Sequence, residues 1–143
     1  MSWILWAVLG ALATAVTAIL TKVGLEKVDS TLALAVQSVV ILILSWCVVG
    51  YSGQATRLLD IEGKSWLFIL AAGVMTTVAY LCYFRALAAG DASRVAPVDR
   101  LSLVFTIALG AFFLREKLSP VAIAGAAMMA IGAVMVAVSP GGK

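Results

Sequence analysis

The sequence has 143 residues, of which 64% are hydrophobic and 12% are charged, with a net charge of +3 and a mean hydropathy of +1.13. A soluble domain is nearer half apolar and a quarter charged, so this composition excludes an ordinary water-soluble domain. The apolar residues fall in blocks of about 20, the length that crosses a bilayer core as a helix. We therefore predict an integral membrane protein in contact with lipid, and the scattered charge predicts no nucleic-acid partner.

Five helices are predicted in chain order, at approximately residues 3–21, 31–51, 66–89, 95–114 and 120–138. The first lacks the basic start of a secretory signal and is longer than a signal's apolar core, so we expect it to be retained. Asp29 or Ser30 is expected to cap the second helix, and Pro120 suits the first turn of the fifth. The apolar runs are too long for barrel strands and lack their alternation. The predicted fold class is thus an all-α membrane protein with five transmembrane helices in a single domain, residues 1–143.

The start of the fourth helix contains a proline and two charges beside apolar residues. A helix beginning at Leu101 would be too short to cross the membrane, whereas one beginning at Val95 crosses it. Pro97, Asp99 and Arg100 would then lie in the first turns, where proline has no bonded amide to lose and the helix dipole favours a carboxylate. Three placements stay open for Arg100, which could reach the headgroups, line a wet cavity or form an ion pair.

Polar side chains inside the apolar blocks are candidates for a substrate cavity. Threonines recur at helical spacing on the first helix, and two tyrosines share a face of the third. A hydroxyl without a partner in hydrocarbon costs roughly 1–3 kcal/mol, so water or a substrate would serve as partner. Packing, or bonding of threonine to its own helix, is the alternative explanation. The cavity candidates are Thr14, Thr17, Thr21, Gln37, Trp46, Tyr80 and Tyr83.

The fifth helix is rich in small residues, which let helix backbones approach closely in membranes. We expect a packing face there, either within the bundle or between subunits, formed by Ala122, Gly125, Ala126, Ala130 and Gly132.

Loop charge gives a weak orientation signal. One side of the membrane would carry four Lys and Arg residues and the other six, or three if Arg85, Arg94 and Arg100 are buried. Such near balance permits insertion in both orientations, although a single orientation with a weak bias is also compatible with it.

Three motifs point to a known family: RALAAGDAS at the end of the third helix, VAPVDRLS at the start of the fourth, and the FLREKLS turn before the last. With the junction TAILTKVGLEKVDSTLALAV, they resemble the EamA-type domain of the drug/metabolite transporter superfamily, here as a half-size, five-helix member with one repeat unit. The resemblance marks as motif charges Lys22, Arg85, Asp99, Arg100 and Glu116, with a structural role expected for Glu116. It also implies a ten-helix arrangement, because similar members fuse two such units with the halves inverted.

The expected function follows from these observations. The chain contains no histidine, and no nucleophile–base pair or metal-ligand cluster is visible, so we predict no enzyme, cofactor or metal site.

We predict a transporter half that forms an antiparallel, dual-topology homodimer and moves a small-molecule metabolite by alternating access. The expected location is the cytoplasmic (inner) membrane of a prokaryote. The alternative is a non-transporting accessory or lipid-handling subunit, possibly in a heterodimer. The first helix has threonines where small multidrug resistance relatives carry a coupling glutamate, which disfavours proton-coupled cation export.

Overall fold

The computed structural model describes residues 2–113, 115 and 118–139, and within them all regular structure is helical. The elements are α1 (Ser2–Gly24), α2 (Ser30–Tyr51), a 3₁₀ helix (Gln54–Asp60), α3 (Gly63–Ala89), α4 (Ala92–Asp99), α5 (Leu101–Phe113) and α6 (Pro120–Val138). This confirms the all-α fold class.

Five helical segments are long and apolar enough to cross a bilayer: α1, α2, α3, the α4–α5 pair and α6. They contain 19 to 27 residues, which corresponds to about 28–40 Å at the α-helical rise. Large apolar side chains are exposed on all of these segments, and such surfaces are covered by lipid or by other helices in a membrane. The chain is therefore an integral, multi-pass membrane protein.

The fourth span differs from the single helix expected over residues 95–114. It begins earlier, at Ala92, and it is interrupted at Arg100, whose backbone N–H makes two long bonds, to the carbonyl oxygens of Ala96 (3.3 Å) and Pro97 (3.2 Å). Pro97 lies inside α4, where its ring has no N–H to donate and crowds the carbonyl four residues earlier. Proline thus lies inside the span, one turn before a break, and Asp99 ends α4 instead of beginning a helix.

Two helix starts follow the expected capping chemistry. The carboxylate of Asp29 accepts hydrogen bonds from the amides of Thr31 (2.8 Å) and Leu32 (3.3 Å), so Asp29 caps α2. At α6 the Ser119 hydroxyl accepts from the Ala122 amide at 3.1 Å, and Pro120 occupies the first turn. In each case a side-chain oxygen takes up an amide that has no partner within its helix.

The chain divides into two compact units. The central unit is Leu20–Ala88, and its buried core residues are Leu34 of α2 with Phe84 and Leu87 of α3. The terminal unit combines the residues up to Ile19 with those from Ala89 onward. In the terminal unit α4 and α5 both pack against α6.

Candidate functional site

A half-open groove of about 350 Å³ lies between α2 and α3 in the central unit. Its polar lining residues are Thr31 and Ser38 of α2 and Thr76, Thr77 and Tyr80 of α3. Its apolar walls are Leu34, Ala35, Ile41 and Leu81. The α2 residues recur every three or four positions, so they share one face of that helix.

The hydroxyls of this groove fall into two groups. Thr76 and Thr77 donate to backbone carbonyls one turn earlier, at 2.9 and 3.0 Å, so their oxygens remain available as acceptors. The side-chain hydroxyls of Ser38 and Tyr80 make no hydrogen bond within the part of the chain that the structure describes, and Tyr80 is 44% exposed. The groove therefore offers both hydroxyl donors and hydroxyl acceptors, with no charged residue in its lining.

Charged groups gather near one end of the same unit, around the first turn of α2 and the last turns of α3. The Lys22 ammonium donates to the Leu87 carbonyl at 2.7 Å. The amides of Thr31 and Leu32 lower the pKa of Asp29 by hydrogen bonding to its carboxylate, and the Arg85 guanidinium adds a smaller electrostatic contribution. The carboxylate of Asp29 therefore stays ionised to a lower pH than an ordinary aspartate does.

The predicted threonine stripe of α1 is divided between the two units. Thr14 and Thr17 lie in the terminal unit, where their hydroxyls donate to the carbonyls of Gly10 (2.8 Å) and Ala13 (2.9 Å). Thr21 belongs to the central unit, and its hydroxyl lies 3.5 Å from the Gln37 side-chain oxygen. That contact is at the long limit for a hydrogen bond and is correspondingly weak.

The other cavity candidates occupy different environments. Tyr80 lines the α2–α3 groove. Tyr83 is half-buried and lies edge-on to Phe84, with ring centroids 6.5 Å apart. Trp46 lines a second groove beside the 3₁₀ helix. Of the candidates that the structure describes in the central unit, Tyr80 alone lines the α2–α3 groove.

Three of the motif charges, Arg85, Asp99 and Arg100, are exposed. Within the described part of the terminal unit, Asp99 and Arg100 form no ion pair. Glu116 lies outside the described residues. Arg94, absent from the predicted set, is half-buried and donates to the Ala137 carbonyl at 2.6 Å.

The small-residue face of α6 separates into two surfaces. Ala126 and Ala133 are buried, and Ala130 and Ala137 on the same stripe are half-buried, so this stripe is the packed side. Gly125 is half-buried, whereas Ala122 and Gly132 are exposed. A Cβ built on Gly132 would meet no atom within 4 Å. The predicted face thus contains packed positions and open ones.

Sequence reasoning missed four groove residues, Thr31, Ser38, Thr76 and Thr77. The regular spacing of Thr31, Ala35 and Ser38 was a usable signal, because it places small or polar side chains along one helical stripe. The pairing of that stripe with Thr76 and Tyr80 depends on how α2 packs against α3, and no local pattern encodes it.

These features define a class: a multi-pass membrane protein in which two helices, α2 and α3, form a groove lined by hydroxyl groups. Residues 1–138 match the EamA-like transporter family, and the chain belongs to that family. It is a membrane transporter, and the family points away from an enzyme.

A similar protein from Sinorhizobium sp is described as an uncharacterized transporter in the cobO 3' region. It is 42% identical over 137 residues, which cover 96% of this chain and 97% of that protein. No solved structure matches the chain.

Proposed function

We propose that the chain is one half of a transporter, completed by a second, antiparallel copy in the cytoplasmic membrane of a prokaryote. The dimer has ten transmembrane helices and moves a small metabolite by alternating access. The observation that carries the proposal is the half-open α2–α3 groove, in which Ser38 and Tyr80 have hydroxyls without a partner in the described chain. A groove walled by only two helices needs further helices to enclose a substrate.

The number of spans supports the antiparallel arrangement. A unit with five spans has its two ends on opposite sides of the membrane, so two units arranged like a fused inverted repeat must point in opposite directions. The near balance of Lys and Arg between the two sides allows both orientations to insert. The exposed positions Ala122 and Gly132 of α6 provide a surface on which helices of two copies can approach closely.

The lining of the groove favours a polar substrate that is uncharged or zwitterionic. Hydroxyl donors and acceptors can replace the water around such a molecule, and no charged lining residue would compensate a net charge. The apolar walls at Leu34 and Ile41 leave room for a short hydrocarbon portion. An amino-acid-like metabolite has this combination of groups.

Topology is tested by single-cysteine labelling in intact cells. After replacement of Cys47 and Cys82 by serine, Ser139→Cys and Thr56→Cys are treated separately with a membrane-impermeant maleimide. These positions follow α6 and α2 and therefore lie on opposite sides of any one copy. Dual topology predicts that each variant is labelled from outside in about half of its molecules. Labelling of only one of the two variants refutes dual topology.

Transport is tested by uptake into liposomes over a panel of amino acids and other small polar metabolites. The variants Ser38→Ala and Tyr80→Phe, each of which removes one hydroxyl from the groove, are expected to reduce uptake. Ser45→Ala is the matched control, because Ser45 is on the same helix but donates to the Ile41 carbonyl and is not among the groove residues. Equal uptake by all three variants would refute the groove as the substrate site. Absence of flux across the panel would favour the accessory-subunit function.

A further inference from the structure

A second groove, of about 340 Å³, lies between the last turns of α2 and the 3₁₀ helix. Its lining residues are Trp46, Val49, Gln54, Arg57, Leu58 and Ile61. The 3₁₀ helix connects two membrane spans, so this groove lies at the membrane surface. Trp46 is five residues before the end of α2, which places it about 7.5 Å further along the helix axis, toward the hydrocarbon.

The lining combines apolar and polar residues, as a lipid molecule combines acyl chains with a polar headgroup. Val49, Leu58 and Ile61 supply hydrocarbon, while Gln54 and Arg57 supply an amide and a guanidinium. Trp46 adds an indole, the amphipathic ring that is enriched at the level of the headgroups. A free anion would use the guanidinium but would leave the apolar part of the groove uncovered.

The Arg57 guanidinium is available for a ligand. Arg57 is exposed, and its guanidinium has no hydrogen bond or ion pair within the described residues, although Asp60 and Glu62 follow closely in the sequence. A planar guanidinium donates two parallel hydrogen bonds to a phosphate, which makes arginine well suited to this group.

We propose that this groove binds a phospholipid of the surrounding leaflet. Its phosphodiester is held by Arg57 and Gln54, and the first part of an acyl chain lies against Val49 and Leu58 beside the Trp46 ring. The site is distinct from the α2–α3 groove and does not depend on the proposed transport cycle. It requires only that the chain span a membrane.

The test is native mass spectrometry of the full chain, purified in detergent and supplied with phosphatidylglycerol or phosphatidylethanolamine. Wild type is expected to retain bound phospholipid, and Arg57→Gln should lower that occupancy about tenfold, the effect of losing a charge-assisted hydrogen bond. Lys64→Gln is the matched control, because it removes the same charge close by, in the first turn of α3, but lies outside the groove. Equal retention by the two variants overturns the proposal.

A second pair of variants tests the apolar wall while leaving Arg57 in place. Leu58→Ser is expected to weaken retention, whereas Leu59→Ser, at a side chain that is 95% exposed and not part of the lining, is expected to retain lipid like wild type. Competition with inorganic phosphate separates the two sources of the anion. If inorganic phosphate displaces the lipid, or if Leu58→Ser and Leu59→Ser behave alike, the groove is a simple anion site or a non-specific surface and the proposal fails.

Discussion

Replacement of Lys22 by methionine should loosen the end of α3. The Lys22 ammonium donates to the Leu87 carbonyl at 2.7 Å, and the Leu87 residue is 0% exposed. Leu87 lies in the last turn of α3, where carbonyl groups have no amide partner within the helix. A cation at this position also interacts favourably with the negative end of the helix dipole. Methionine keeps most of the apolar stem and removes only the donor.

The expected magnitude follows from the charge on the donor. Hydrogen bonds to charged groups contribute about 1.5–3 kcal/mol, more than neutral ones, and removal of the donor leaves a buried carbonyl without this partner. We therefore expect Lys22→Met to lower the free energy of unfolding by about 1.5–3 kcal/mol. Lys27→Met is the control, because Lys27 is exposed in the α1–α2 connection and has no hydrogen bond or ion pair among the described residues. Its effect should stay within about 0.5 kcal/mol.

Two measurements check this prediction. Thermal unfolding in detergent is measured by size-exclusion chromatography of samples heated to a series of temperatures, and it gives the midpoints of wild type and the two variants. Hydrogen exchange then locates the change, and faster exchange should be confined to the last turn of α3 and the end of α1. Equal midpoints for Lys22→Met and Lys27→Met would show that the ammonium contributes nothing, and the reasoning would be wrong.

Three further predictions concern the other helix ends and the packing of α5. Arg94→Met should lower the free energy of unfolding by about 1.5–3 kcal/mol, because the arginine donates to a carbonyl at the end of α6. Arg100→Met is the control and should leave the thermal midpoint unchanged, because the Arg100 side chain has no such partner among the described residues. Because the pKa of Asp29 is lowered in the folded chain, its ionised carboxylate stabilises the fold fully above the ordinary pKa of aspartate, and this stabilisation is lost as the pH falls through the lowered pKa. Asp29→Asn should therefore flatten the acid limb of a curve of unfolding free energy against pH. Gly110 is the buried residue of α5, which packs on α6, so Gly110→Leu should destabilise by about 1–3 kcal/mol in thermal unfolding.

Local chemistry explains the parts of the fold that could be predicted. Each span is a run of apolar residues that satisfies its own backbone hydrogen bonds as a helix, so hydropathy alone identifies all five. The caps at Asp29 and Ser119 are equally local, because the side chain bonds an amide two or three residues away. The interruption at Arg100 was missed, although Pro97 was visible, because the position at which a helix accommodates a proline depends on its neighbours.

The candidate site was less accessible to sequence reasoning. The threonines of α1 formed the clearest polar stripe, yet Thr14 and Thr17 bond to their own helix, as membrane threonines commonly do. The groove hydroxyls belong to α2 and α3, and neither helix identifies the other as its partner. The same applies to Lys22 and Arg94, whose acceptor carbonyls lie 65 and 43 residues further along the chain.

The sequence by itself determined that this is a membrane protein, how many transmembrane spans it has, and which family it resembles, because those properties depend on the chemistry of consecutive residues. Tertiary structure alone decided which polar helix faces pack together, which cations bond to the ends of helices distant in sequence, and that Arg57 lines a groove with apolar residues. The physical reason is that lipid tails solvate every apolar helix face about equally well, so hydrophobicity does not select the partner helix. The choice of partner therefore depends on close packing and a few hydrogen bonds between residues far apart in the chain.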